Sequence, residues 1–172
     1  MKVSDLRSSE YHLYYGPYIK ALGDLSLLEA LQAGKNELSS FIQQVPEDKF
    51  DFSYAEGKWS IAEVLVHLCD AERVFQYRAL RFARNDTTEL QGFDQDIYVP
   101  ESFANERSKE EILEELMAVR NSSIALFSSF RAKELIRQGS ANGAEMSVRA
   151  LGFVICGHQA HHFKIIRERY LT

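Results

Sequence analysis

The chain has 172 residues, of which 45% are hydrophobic and 26% are charged, and its formal net charge is −5. This length predicts one domain, over residues 1–172, with a substantial core. The acidic balance argues against nucleic acid as a partner, because phosphate binding needs clustered basic residues, and the chain offers only a local group at Arg78, Arg81 and Arg84.

The first two long helices are predicted from apolar periodicity. The first spans about residues 26–44, where leucine and phenylalanine side chains recur at helical spacing and Pro46 follows. The second begins at Ser60 and extends to about Arg84. Its opening letters "SIAE" form a capping box, in which the side chains of Ser60 and Glu63 satisfy free backbone N–H groups.

A long connection, "TTELQGFDQDIYVPESFANER" at residues 87–107, separates the second helix from the third. Long ordered loops in compact domains are often functional. The third helix begins at "SKEE", where Ser108 and Glu111 repeat the capping-box pattern, and it extends to about Phe130.

The fourth helix runs from about Ser147 to Tyr170. The segment before it, "RQGSANGAEMS", is rich in turn formers, including Asn142-Gly143, and predicts either a short hairpin or an extended arm. Four amphipathic helices in a chain of this size predict an all-α fold, a four-helix bundle with a long loop between its second and third helices.

The segment "GHQAHHFKII", residues 157–166, holds three of the five histidines. At about 100° per residue, His158 and His162 fall one turn apart on the inward seam of the fourth helix. Histidines at this spacing are a common way for a helix to hold a metal ion. His161 falls roughly 90° from the centre of the seam, so we expect it on the flank of the helix.

His67 borders the apolar face of the second helix, where it can meet the histidine pair across the bundle. The sequence therefore predicts a metal site formed by His67, His158 and His162, against the alternative that these are ordinary core histidines. Three neutral imidazoles leave coordination positions open, as a catalytic zinc site requires. Asp70, one turn further along, is a candidate to orient a histidine ring or to transfer a proton.

Other metal and thiol chemistry is disfavoured. An HExxH metalloprotease needs a glutamate where the chain has Gln159, and a di-iron bundle needs glutamates where it has Val64 and Ile155. Cys69 and Cys156 point away from the predicted site, and we expect both to be reduced residues of the core or its edge.

Features of the whole chain predict a cytoplasmic protein with no membrane partner. No apolar run is long enough to span a bilayer, and the polar start "MKVSDLRSSE" does not have the pattern of a signal peptide.

Two stretches, "GKWSIAEVLVHLCDAE" and "NGAEMSVRALGFVICGHQAHHFKIIRERY", resemble the DinB-like superfamily of bundle proteins, which includes YfiT-like metal-dependent hydrolases and thiol transferases. The motifs are a histidine in the second helix after a G-x-W-[ST] start, and H-x3-H in the fourth. The resemblance implies up-down-down-up connectivity and a divalent metal ion, often zinc or nickel. The ligands that it implies are the same three residues, His67, His158 and His162.

The resemblance also implies a homodimer. Characterised relatives act on, or with, low-molecular-weight thiols such as bacillithiol or mycothiol. The resemblance does not identify a particular substrate, and no residue of this chain identifies a thiol-binding pocket.

Two classes of function follow. The first is a metal-dependent hydrolase or thiol S-transferase, whose small-molecule substrates are a thiol and an electrophile. Aromatic residues of "YHLYYGPYI" and "FDQDIY" then either wall its pocket or only pack the N-terminal arm on the bundle. The second is a non-catalytic, metal-stabilised bundle that acts in binding or stress response. The open three-histidine set favours the enzyme, since structural zinc usually has four protein ligands.

Overall fold

The structure is a computed structural model that describes all 172 residues of the chain. Its elements, in chain order, are the helices and strands α1 (Gly16–Lys20), α2 (Leu27–Gln44), α3 (Ile61–Ala83), α4 (Gln95–Glu101), α5 (Lys109–Ser128), α6 (Ala132–Leu135), β1 (Gln138–Ala141), β2 (Ala144–Ser147) and α7 (Val148–Arg169). The long helices α2, α3, α5 and α7 are the four predicted from apolar periodicity. Short 3-10 turns occur in the N-terminal arm and in the connections.

A serine caps the N-terminus of each long helix. At the start of α3, the Glu63 N–H donates to Ser60 Oγ at 3.1 Å, and the Ser60 N–H donates to the Glu63 carboxylate at 2.7 Å. Ser108 and Glu111 repeat this arrangement at the start of α5. Both capping boxes predicted from the sequence are present, and the first sets where α3 begins relative to His67, two turns further along.

Each long helix packs against two of the others. α3 contacts α5 and α7, and α2 contacts the same two helices, so α2 and α3 lie at opposite corners of the bundle. Phe41 of α2 stacks on Phe163 of α7, with ring centroids 3.8 Å apart. Tyr170, which follows α7, donates its hydroxyl to the carbonyl of Trp59, which precedes α3, so α3 and α7 run in opposite directions.

The core consists of two hydrophobic clusters, one toward each end of the bundle. Along α7 the first cluster ends at Cys156 and the second resumes at Phe163. Along α3 the second cluster extends to Cys69 and the first begins at Ala71. Polar side chains collect around this boundary, and we call them the polar layer: His67, Glu72, Arg120, Ser123, His158, Gln159 and His162.

A buried ion pair in the polar layer joins α3 to α5. Arg120, only 1% exposed, donates from Nε and Nη2 to the two carboxylate oxygens of Glu72, both at 2.8 Å. Ser123 Oγ donates to the same carboxylate at 2.6 Å. On the other side of the layer, Gln159 Nε2 donates to the carbonyl of Gly34 at 3.0 Å and so ties α7 to α2.

A hairpin, and not an extended arm, precedes α7. β1 and β2 pair antiparallel, and the Asn142-Gly143 turn between them has positive φ at both residues, 54° and 70°. That geometry is the one that a two-residue hairpin turn requires. A parallel bridge joins Leu90 to Ala141, so the chain that follows α3 lies beside the hairpin tip.

A second buried ion pair fastens the N-terminal arm, residues 1–24, to α7. Arg149 Nε donates to the Glu10 carboxylate at 2.7 Å, and its Nη2 donates to the carbonyl of Asp5 at 2.8 Å. α1, which belongs to this arm, packs directly against α7. The arm therefore covers the helix that carries His158 and His162.

The connection at 87–107 contains more regular structure than the predicted loop. It includes α4 and a 3-10 turn at Ala104–Glu106. Apolar periodicity does not reveal α4, because the helix is only seven residues long and contains Pro100. No helix of the protein combines the length and the apolar character that crossing a membrane requires.

Replacing Glu72 with Gln tests the polar layer. The Glu72→Gln variant leaves the buried Arg120 guanidinium without a counter-ion, and we expect the free energy of unfolding to fall by about 3–5 kcal/mol. The measurement is urea denaturation followed by circular dichroism. Glu37→Gln is the matched control, because Glu37 pairs with Arg167 at 2.8 Å on the surface; its expected loss is about 0–1 kcal/mol. Similar losses of unfolding free energy in the two variants would show that the Glu72–Arg120 pair stabilises the bundle no more than a surface ion pair does.

Candidate metal centre

The structure brings the three predicted histidines together in the polar layer. His67 projects from α3 and is 4% exposed. His158 and His162 project from α7, one turn apart, and are partly exposed. One ligand nitrogen from each ring lies within 4.8 Å of the other two. The antiparallel contact of α3 with α7 therefore produces the convergence that the helical-wheel positions predict.

The donor set fits a single small cation. Nε2 of His158 lies 3.2 Å from Nε2 of His67 and 3.0 Å from Nε2 of His162. Zinc holds imidazole nitrogens at about 2.0–2.1 Å, so nitrogens that share one ion lie roughly 3 Å apart. The ring planes meet at 70° to 83°, so the nitrogens approach one point from different directions.

Burial lowers the pKa of all three imidazoles. The pKa of His67 falls to about 4, and that of His162 falls to about 3, with a further contribution from the neighbouring histidines. Burial, reinforced by the other histidines, also holds the pKa of His158 well below its ordinary value. All three rings are therefore neutral at neutral pH, which is the state in which a histidine binds a metal ion.

No carboxylate or thiol completes the set of three. Cys69 and Cys156 are buried free thiols, and burial raises the pKa of each to about 12. Thiols that stay protonated in this way are inert toward metals and electrophiles at neutral pH. An open set of three imidazoles matches catalytic zinc sites better than structural ones, which usually have four protein ligands.

Asp70 does not join the histidine cluster. Its carboxylate lies 3.5 Å from Nη1 of Arg73, which also binds Glu115 of α5 at 2.6 Å. Three residues along a helix correspond to a displacement of about 60° around its axis, so Asp70 is turned toward α5 while His67 faces α7. No hydrogen bond connects Asp70 to His67. The role of Asp70 in proton transfer stays a prediction.

His161 lies on the flank of α7, as its position on the helical wheel predicts. Its ring packs against the ring of Tyr18, with centroids 4.8 Å apart, and it is not among the convergent nitrogens. Tyr18 also lies 5.7 Å from the ring of His158. The N-terminal arm therefore covers both histidines from the same side.

A cleft of about 390 Å³ opens onto His67 and His158. Its walls come from the arm, from α3, from the chain before α4 and from the hairpin turn; Tyr15, Phe75 and Phe93 supply aromatic surface. The N-terminal tyrosines thus both pack the arm and wall the cleft. The volume is in the range of small-molecule sites, and the lining combines apolar and polar side chains about equally.

A second, smaller opening of about 260 Å³ reaches the cluster at His162. Trp59 and Tyr170 line it, and the indole ring of Trp59 packs 4.9 Å from the ring of His67. The three histidines therefore lie between two openings. Only the larger one is bounded by the arm and the hairpin.

Several residues of the larger cleft were not predicted as site residues. Arg78 lies on the same face of α3 as His67, since eleven residues correspond to a turn of about 20° beyond three full turns. That spacing was a usable signal. The three arginines that lie close together in sequence do not form one basic surface: Arg78 is buried in the cleft, Arg81 pairs with Asp86, and Arg84 is exposed beside Phe130.

Comparison with known proteins identifies relatives of this architecture. The model of the DinB superfamily matches residues 30–166. YfiT from Bacillus subtilis, described as a probable metal-dependent hydrolase with an unusual four-helix bundle topology, superposes with a TM-score of 0.74. The two sequences are 16% identical, over 95% of this chain and 89% of that one.

The mycothiol-dependent maleylpyruvate isomerase superposes with a TM-score of 0.68 at 10% identity. The match covers 95% of this chain and 62% of that one. No curated protein matches in sequence. At these identities the two structures establish a shared fold, a mostly helical four-helix bundle.

Gly157→Ala tests whether the arm must lie tightly on α7. A Cβ at position 157 would come 2.2 Å from the carbonyl oxygen of Tyr18, so the arm has to shift, and we expect a loss of about 1–3 kcal/mol in the free energy of unfolding. In Gly16→Ala, the matched change within the arm, the nearest atom is 3.9 Å away, and stability should hold or rise slightly. Thermal unfolding measures both, and equal stability of the two variants would refute the tight contact.

Proposed function

We propose that this chain, which belongs to the DinB superfamily, is a metal-dependent enzyme that acts on a small molecule, as a hydrolase or as a low-molecular-weight thiol S-transferase. One observation carries the proposal: three neutral imidazoles converge beside a cleft of about 390 Å³. His67, His158 and His162 would hold one divalent ion, zinc or nickel. Such an ion lowers the pKa of a water or a thiol and so provides a nucleophile at neutral pH.

The protein's own side chains would prepare this chemistry. Burial keeps the histidines unprotonated, and the packing of Trp59 on His67 restricts the orientation of that ring. Tyr15 and Tyr18 from the arm cover the cleft and exclude water from part of it. The substrate would enter between the arm and the hairpin, where its reactive group can approach His67 and His158.

The choice between water and a thiol as the nucleophile rests on similarity. The bundle fold is shared with a probable metal-dependent hydrolase and with a mycothiol-dependent isomerase. A thiol such as bacillithiol or mycothiol is therefore a candidate co-substrate. Cys69 and Cys156 are too deeply buried to take its place as nucleophiles.

The proposal extends to architecture. We propose one domain over residues 1–172 with up-down-down-up order of α2, α3, α5 and α7. The contacts between α3 and α5 support a parallel pair, because residue numbers increase in the same direction along both helices: Glu72 contacts Arg120, and Gln76 contacts Ser123. α2 meets α7 in the same parallel sense. A homodimer is part of the same proposal, supported by the resemblance to the superfamily.

Metal analysis of histidine variants tests the ligand set. His67→Ala, His158→Ala and His162→Ala should each lose stoichiometric zinc or nickel, because each removes one of only three ligands. His161→Ala, on the same helix, should retain most of the metal, since its ring packs on Tyr18. Elemental analysis of the purified proteins is the measurement, with circular dichroism as the folding control. Full metal content in both His158→Ala and His162→Ala would refute the assignment.

Removal of the metal separates a catalytic role from a structural one. Chelated protein should remain helical and lose activity with a panel of thiols and a monochlorobimane-type electrophile, whereas a structural metal would be needed for folding. The pKa values of His67 and His162 are about 4 and 3, so both rings are already neutral above pH 6. A rise in rate between about pH 6 and pH 9 would therefore come from deprotonation of the reacting water or thiol.

Asp70→Asn should reduce this activity far less than loss of a ligand, because its carboxylate binds Arg73. Equal rates for the metal-loaded and metal-free proteins would exclude the catalytic role and favour a metal-stabilised binding protein.

A further inference from the structure

The cleft that opens onto His67 and His158 has an unusual charge. No aspartate or glutamate lines it, although the chain contains 25 acidic residues. Arg78 is the only lysine or arginine in its walls. A divalent ion at the histidines would add to this positive charge. The cleft is therefore suited to an anionic ligand, in a protein whose net charge is negative.

Arg78 differs from the other buried arginines of the chain. Arg120 is paired with Glu72, and Arg149 is paired with Glu10. Arg78 is 5% exposed, between the 1% of Arg120 and the 7% of Arg149, yet it forms no ion pair with a carboxylate, as those two do. Its one hydrogen bond runs from Nη2 to the carbonyl of Gln91 at 3.2 Å, which uses one of its five N–H donors.

A buried guanidinium remains charged and is costly to leave without an anion. Burial lowers the pKa of Arg78, with a small opposing effect from the nearby Tyr15, and this is consistent with a cation that lacks a counter-ion. An anionic ligand in the cleft would supply the missing partner. The free nitrogens of Arg78 are not sealed in the core, as Nη1 of Arg120 is, so they border the cleft that Arg78 lines.

We propose that Arg78 binds a carboxylate of the substrate, at the opposite end of the cleft from the three histidines. A carboxylate fits because it is planar and carries one charge, which a guanidinium fork can bind through two parallel hydrogen bonds. A phosphate monoester carries about −1.5 to −2 charges at neutral pH, and Arg78 alone would not balance it. The position of the reacting group at the histidines rests on the proposed function. Binding of the carboxylate by Arg78 does not.

The positions of the two ends set the shape of the ligand. Arg78 follows His67 by eleven residues, which separates their Cα atoms by about 16 Å along α3. Both side chains lean toward the N-terminus of α3, but the arginine side chain is longer, so it reaches back toward the histidines and leaves a span on the order of 10 Å.

Phe75 lies between the two ends of the cleft, with its ring centroid 6.3 Å from that of His158 and 6.0 Å from Cζ of Arg78. The ligand is therefore an elongated acid with an apolar middle.

Isothermal titration calorimetry on the zinc-loaded protein tests this with 8-mercaptooctanoate and its neutral amide. The acid should bind about 10- to 100-fold more tightly than the amide, as expected for a charge-assisted pair. That preference should disappear in Arg78→Gln and remain in Arg169→Gln, which removes an exposed arginine outside the cleft. 3-Mercaptopropionate, which is too short to span the cleft, should gain nothing from Arg78. Equal binding of acid and amide by the unmodified protein would overturn the proposal without any variant.

Metal-free protein separates this proposal from the proposed function. Octanoate should still bind more tightly than octanamide, and more tightly than octyl phosphate, in an Arg78-dependent way, even if no thiol reacts at the histidines. Arg78→Lys should keep part of the preference because it keeps the charge. An unchanged preference in Arg78→Gln, or tighter binding of octyl phosphate than of octanoate, would refute a carboxylate site at Arg78.

Discussion

The buried ion pair between Glu72 and Arg120 is the constraint on which the centre of the bundle depends. Hydrophobic contacts are tolerant of sliding, but a buried charge loses its partner if one helix shifts against the other. The pair therefore holds α3 in one register against α5, and Gln159 holds α7 against α2 through the carbonyl of Gly34. A Cβ at position 34 would come 2.5 Å from Nη1 of Arg120, so a larger residue than glycine there would displace the paired guanidinium. These contacts direct His67 toward the helix that carries His158 and His162.

The same layer keeps the three histidines in the neutral state that metal binding would need. It interrupts two hydrophobic clusters, so its polar groups are surrounded by low-dielectric material on both sides. Carboxylates balance Arg120 and Arg149, whereas the imidazoles respond to burial by staying neutral. Arg78 is neither paired with a carboxylate nor neutral, since a guanidinium keeps its charge and its one hydrogen bond goes to a backbone carbonyl. The cleft thus has two of the three neutral imidazoles, His67 and His158, at one end and the unpaired cation of Arg78 at the other. We propose that a metal ion binds at the first end and an acidic ligand at the second.

Much of this arrangement follows from local sequence patterns, and the remainder depends on contacts between distant segments. Ser60, Glu63 and the apolar stripes locate the long helices, and the i, i+4 spacing of His158 and His162 determines their shared face. By contrast, the cleft exists because the arm and the hairpin meet over α3, and no local pattern specifies that meeting. The isolation of Arg78 and the turn of Asp70 toward Arg73 likewise depend on residues far away in sequence, or on another helix, that supply or withhold a partner.

The most direct test of the central claim is a crystal structure of the zinc- or nickel-loaded protein, with anomalous diffraction recorded at the absorption edge of the metal. A functional three-histidine centre requires one anomalous peak per chain, bound by Nε2 of His67, His158 and His162 and with at least one coordination position free of protein ligands. A peak bound by other residues, a fourth protein ligand at the site, or no peak at these histidines in metal-loaded crystals would contradict it.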